Sequence, residues 1–235
     1  MNMIIISDST GNTENVILKK ILLTCGILSS LLYVVMNIFI PMYWEGYSSV
    51  SQTVSELSAV DAPTRSLWVP LGFIYTFLII AFGWGIRISA HDNRRLRIAG
   101  SLMLIYGVVS IIWPFTPMHQ REVIAAGGGT ISDTLHIAMA ITSVLFMLVA
   151  VIFGAAAFGK RFRIYSILTI VIFLVFGILT SLEAPGIDSN LPTPTIGIWE
   201  RINIGAFLLW VVVLALILIQ KEKATSSTHI NVKTY

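Results

Sequence analysis

Apolar residues run for about twenty positions at a time, six times along the chain, with short polar stretches between the runs. A helix rises about 1.5 Å per residue, so each run is about long enough to cross roughly 30 Å of hydrocarbon. The runs predict spans at about 21–40, 67–88, 98–115, 134–158, 164–182 and 202–220. The middle of every run is free of Asp, Glu, Lys and Arg. Such residues are expensive in lipid and mark proton relays or ion paths, so the pattern argues against a proton-coupled pump. The fold class this implies is all-α: a polytopic membrane protein with a six-helix bundle at 21–220, an amino-terminal segment at 1–20 and a tail at 221–235.

Basic residues divide the connections into two sets. Lys19 and Lys20, then Arg87, Arg94, Arg95 and Arg97, then Lys160, Arg161 and Arg163, then Lys221 and Lys223 mark every second boundary. The alternate boundaries hold only Arg65, Arg121 and Arg201. Loops rich in Lys and Arg stay in the cytoplasm, so both termini are expected inside. Trp44, Trp68, Trp113 and Trp199 fall at the outer ends of spans, as headgroup anchors would. Trp84 marks an inner end and Trp210 lies deep.

Composition agrees. The chain has 235 residues, is 56% hydrophobic and only 11% charged, and has mean hydropathy +0.85, which excludes an ordinary soluble domain. The net charge of +3 comes from the inner connections and points to anionic headgroups, not nucleic acid. The expected partner is the bilayer itself, in the cell's inner or plasma membrane, with a small-molecule or lipid ligand in addition. The single cysteine, Cys25, lies inside the first span and reads as a packing residue. The first run is too long for a signal-peptide core, so an uncleaved signal anchor is expected. The polar tail from Ala224 is expected to lack order. A weaker echo links Phe82-Gly83 through Tyr106-Gly107 with Phe153-Gly154 through Phe176-Gly177, as a parallel duplication of hairpins would.

Candidate chemistry is displaced to the outer face. In the first outer loop, Ser49 and Gln52 fit a capping box, and Val50, Val54 and Leu57 make an apolar stripe. A short helix is therefore predicted over about 49–59, with Glu56 either facing water or serving a lid over the mouth. In the second, three glycines (Gly127 to Gly129) read as a flexible connection, and Ser132 or Asp133 can cap the fourth span. Asp133 and His136 stand three apart and share a helical face that Ser143 continues. In the third, Glu200 can complement the amino terminus of the last span, and Arg201 can pair with Glu56, Asp133 or Glu183.

These residues support three readings. The first is binding or transport of a small or lipid-like ligand through an outward-facing polar cavity, with Asn37, Ser55, Glu56, His136 and Arg201 as contacts. In the second, a lipid hydrolase, His119, Asp133 and His136 hold zinc or another divalent metal and Glu56 is the catalytic base. Otherwise no cofactor is expected. The third is a structural partner whose outer loops dock another protein. No Gly-x-Ser-x-Gly, His-Glu-x-x-His or Cys-x-x-Cys motif is present to favour a standard enzyme class.

The segment Tyr47-Ser48 followed by Ser55-Glu56-Leu57-Ser58-Ala59, after a span ending in Asn37 and with a His at the start of the fourth span, carries a family likeness. Over about residues 20–220 the chain resembles the bacterial and archaeal membrane proteins grouped as domain-of-unknown-function family 998. The resemblance implies a six-helix protein of a bacterial inner membrane and carries over no activity.

Overall fold

The computed structural model describes the backbone of residues 4–232 and the side chains of residues 14–224. Six long helices account for the bundle: α1 (Ile4–Phe39), α2 (Arg65–Ile88), α3 (Arg94–Ser110), α4 (Ile131–Ala157), α5 (Lys160–Glu183) and α6 (Ile196–Val232). All six are long and apolar enough to cross a membrane, and no strand occurs among the described residues. The first and last helices extend past the predicted spans at both ends of the chain. The tail expected to lack order instead continues α6 as helix to Val232. The side chains of 1–13 and 225–235 lie outside the described residues.

Chain order sets the arrangement. Each helix packs on its neighbours in sequence, and α6 returns to α1, so the six close into a ring. Without a hydrophobic drive between helices in lipid, close approach of small residues supplies the contact. A Cβ at Gly83 of α2 would sit 2.5 Å from the Leu104 backbone nitrogen of α3, so only glycine admits that approach. Gly154, its counterpart in the echoed hairpin, lies instead against the Trp210 ring of α6. The two glycines therefore serve different helix pairs.

Aromatic rings fill the ring of helices. Tyr33 and Tyr75 lie 4.8 Å apart, Tyr106 meets Phe207 edge-on at 6.0 Å, and Phe207 stacks on Trp210 at 6.4 Å. The Tyr75 and Tyr106 hydroxyls are 3.4 Å apart, and the Trp210 indole donates to Ser166 Oγ at 3.0 Å. A buried indole N–H without a partner would cost about 1–3 kcal/mol, so Ser166 matters to this core.

The two ends of the bundle differ. At one end the turns are tight, and Asn93 closes both, accepting from Leu96 N at 3.1 Å and donating to the Ala157 carbonyl at 2.9 Å. The other end carries the three long connections, which fold into a cap. Of its tryptophans, Trp68 is buried, and Trp44, Trp113 and Trp199 are half-buried. Trp199 donates to Glu183 Oε1 at 3.2 Å, and Trp113 stands edge-on to His136 at 4.7 Å, so internal partners hold both rings.

Candidate functional site

The cap begins where α1 ends in a 3-10 turn, Ile40–Tyr43, whose proline cannot continue the α-helical ladder. The predicted helix over 49–59 is not continuous. Only Ser55–Ser58 forms a 3-10 turn, preceded by a separate turn at 48–52. The reason is a cap one residue earlier than expected. Ser48 Oγ accepts from Ser51 N at 3.3 Å and Gln52 Oε1 accepts from Ser48 N at 2.8 Å, which closes the turn on itself. Of the expected apolar stripe, Val54 and Leu57 are buried against Met36, Ile40 and Trp68, whereas Val50 stays exposed.

Glu56 does not face water. It is 2% exposed, and its carboxylate accepts from five donors. Thr53 supplies its backbone N–H at 2.7 Å and its hydroxyl at 3.0 Å, and Gln52 Nε2 lies at 3.2 Å. Arg121 completes the set as a fork, Nε to Oε1 and Nη2 to Oε2, each at 2.9 Å. The third nitrogen of that guanidinium donates to Thr193 Oγ1 at 3.1 Å, and Thr193 in turn donates to the Ser51 carbonyl at 2.7 Å. One bidentate pair, of the geometry that makes Arg–carboxylate contacts strong, therefore ties all three connections together.

A second layer lies beside it. Glu200, at the start of α6, accepts from Val54 N at 2.6 Å, so it satisfies the cap's backbone as well as standing near its own helix terminus. Among the described residues Arg201 makes no ion pair. Its Nη1 donates to the carbonyls of Ser49, Gln52 and Gly197 at 2.9–3.0 Å, and its Nη2 donates to Tyr47 Oη at 2.7 Å. The backbone comes this close because residue 197 is glycine: a Cβ there would meet the Ser49 carbonyl at 2.5 Å and Arg201 Nη1 at 2.9 Å. Tyr47 also donates to the Thr53 carbonyl at 2.7 Å. Burial pushes its phenol pKa above the usual range, and the Arg201 charge opposes that shift only in part, so it stays a donor at neutral pH.

Other candidates fall apart from this knot. His119 Nδ1 lies 2.9 Å from Asp133 Oδ2, and Asp133 also accepts from His119 N at 2.7 Å and Thr130 N at 2.8 Å. Thr130, not Ser132 or Asp133, is the cap residue of α4, with Asp133 its reciprocal partner. Ser132 Oγ donates instead to the Pro117 carbonyl at 2.6 Å. His136 is buried, and its Nδ1 donates to the Thr116 carbonyl at 2.8 Å. A carbonyl can only accept, which fixes the proton on Nδ1 and leaves Nε2 facing no protein partner. Among the described residues no three His, Cys, Asp or Glu groups gather where they could hold a metal. His119 and Asp133 form a pair, and His136 turns to the Thr116 carbonyl.

Ser55 only opens the 3-10 turn, its carbonyl accepting from Ser58 Oγ at 3.1 Å. Asn37 donates to the Tyr33 carbonyl at 3.0 Å, and its Oδ1 is buried without a partner. The glycine connection is a wide helical turn, Ile124–Gly128, ended by Gly127 at φ +82°, a conformation that side chains strain to reach.

Sequence reasoning missed Arg121, Thr193 and Tyr47, and gave Glu200 too small a part. A signal for Arg121 existed. All three arginines on the cation-poor boundaries are held internally, since Arg65 donates to the Ser58 and Pro114 carbonyls. An arginine that breaks the charge bias needs a protein partner, and the buried Glu56 is the one Arg121 finds.

The arrangement closes one end of a sequentially wound ring with a polar knot. No curated protein and no solved structure matches the chain. A family model described as "Protein of unknown function (DUF998)" matches residues 27–217, most of the chain and nearly the whole bundle, and the protein belongs to that family.

Proposed function

We propose that the protein binds a small lipid-like molecule at the mouth of the bundle, beneath the cap, on the outer face of the plasma membrane. The reading places both termini in the cytoplasm, on the strength of the basic inner connections. The observation that carries it is the Glu56–Arg121 pair. Replacing a buried ion pair by apolar side chains is often neutral or stabilising, so its best-attested use is to specify or switch one arrangement. Here the pair latches three loops at once, which suits a lid.

The chemistry beneath favours a neutral headgroup that donates hydrogen bonds. Asn37 Oδ1 and His136 Nε2 are buried acceptors without protein partners, and Thr116 Oγ1 is similarly free. Buried polar atoms are normally satisfied, so each is a place for a hydroxyl or amine. The aromatic filling of the bundle favours binding at the mouth over conduction through it.

Thermal unfolding of the purified protein with monoolein, lysophosphatidylethanolamine and palmitate tests this. A saturable rise in Tm with the first two, and none with palmitate, is expected, and it should be lost in Asn37→Leu or His136→Phe. At a hundredfold excess over Kd the stabilisation is about 2.7 kcal/mol. No shift with any probe, or equal shifts in both variants, would remove the proposal.

A further inference from the structure

The opposite end of the bundle carries a second feature, independent of the cap. Where α2 meets α3, Arg87, Arg94 and Arg97 line a surface groove of about 430 Å³, with Ser101 on its wall and Leu102 and Ile105 further along α3. No carboxylate lines it. We infer that this groove binds the phosphate of an anionic membrane lipid, with the acyl chain lying along Leu102 and Ile105.

Three observations carry the inference. First, the cations are positioned before any ligand arrives. Arg87 Nη1 donates to Ser101 Oγ at 2.5 Å, and Arg97 donates to the His91 carbonyl. Each fork is held by one arm and leaves other N–H groups outward. Second, they are uncompensated. The Arg94 guanidinium makes no hydrogen bond or ion pair among the described residues, and Asp92 in the adjoining turn forms no salt bridge with any of the three. Third, the shape is that of a lipid. Ile105 is exposed and lies two turns beyond the arginines toward the middle of the span, so the groove is cationic at the boundary and apolar within. A free phosphate would use only the first part. Basic clusters between spans recognise anionic headgroups through this combination.

Close approach of α2 and α3 builds the groove. A Cβ at Gly100 would lie 2.7 Å from the Arg87 backbone nitrogen, so glycine at this position lets the helices bring their arginines together.

Native mass spectrometry of the detergent-purified full chain, titrated with phosphatidylglycerol and separately with phosphatidylcholine, tests the site. Phosphatidylglycerol is expected to bind the more tightly. Each arginine near the surface contributes about fivefold, so Arg87→Gln, Arg94→Gln and Arg97→Gln together should weaken it roughly hundredfold. Ser101→Ala, which frees one arm of Arg87, should weaken it several-fold with the charge unchanged. The triple variant Lys160→Gln, Arg161→Gln and Arg163→Gln, in the other inner turn, should bind like wild type. All the replaced side chains but Ser101 are exposed, and an unchanged Tm verifies folding. Equal loss in both triple variants would reduce the effect to general surface charge and overturn the site. Undiminished binding in the first triple variant, or complete displacement of the lipid by 10 mM inorganic phosphate (roughly the level of a phosphate buffer), would overturn it too.

Discussion

Replacing Arg121 with Met removes both 2.9 Å bonds to Glu56 and the bond to Thr193 while keeping much of the side chain's volume. Glu56 then stays buried with the donors of Gln52 and Thr53 only, at 2% exposure. An exposed pair of this type is worth about 0–1 kcal/mol, whereas orphaning one partner of a buried pair costs about 3–5 kcal/mol. Arg121 is 12% exposed and Glu56 2%, so the buried figure applies. For a chain of this size the loss corresponds to a fall in Tm on the order of 10 °C. Glu56→Gln should cost less, because Arg121 keeps Thr193 and some access to water. The double variant should lie well above the sum of the two, with a coupling energy of about 1.5 kcal/mol or more. Tryptophan fluorescence in detergent reads the unfolding, since six tryptophans are present and four of them, Trp44, Trp68, Trp113 and Trp199, sit in or beside the cap. A loss below about 1 kcal/mol for Arg121→Met, the range of a surface pair, would refute the reasoning. Additive single and double variants would refute it equally.

Gly83→Ala should destabilise by about 1–3 kcal/mol, because its Cβ meets the α3 backbone, whereas Gly72→Ala, where a Cβ meets nothing within 4 Å, should be neutral or slightly stabilising. Equal effects in a thermal assay would contradict the packing of α2 on α3. In a Cys25→Ala background, Ser189→Cys should react with a membrane-impermeant maleimide on intact cells and Asp92→Cys only after permeabilisation; the reverse pattern would invert the proposed topology. Metal analysis of wild type and His136→Ala should give the same content, since His136 is turned to the Thr116 carbonyl at 2.8 Å. Stoichiometric zinc lost in the variant would instead bring His119, Asp133 and His136 together as ligands.

The bundle was legible because lipid permits few solutions. Backbone groups in hydrocarbon must pair within their own helix, so twenty apolar residues read as a span with little ambiguity. Span ends were less legible, as α1 and α6 show, because a helix continues into water wherever propensity allows. The cap was only half legible. Val54, Leu57 and Glu56 announced a structured segment, but the turn closes between Ser48 and Gln52, and from there Gln52 donates to the buried Glu56. Its partner was hidden because Arg121 lies 65 residues away and no local period links the two. The internal partners of Trp113 and Trp199 were hidden for a related reason. Position along a helix is written in the sequence, but the direction of a ring around it depends on neighbours that only the closed ring of helices supplies.

Hydrogen exchange across the cap, in wild type and in Arg121→Met, tests most directly whether it is a lid latched by one ion pair. The amides of Thr53 and Val54, held by Glu56 and Glu200, should exchange through a local opening and faster than those in the middle of α2 and α6. Loss of about 3 kcal/mol in Arg121→Met should accelerate the two cap amides more than a hundredfold and leave the mid-helix amides protected. Cap and bundle amides exchanging together in both proteins would contradict the account, because the loops would then be part of the bundle and not a lid upon it.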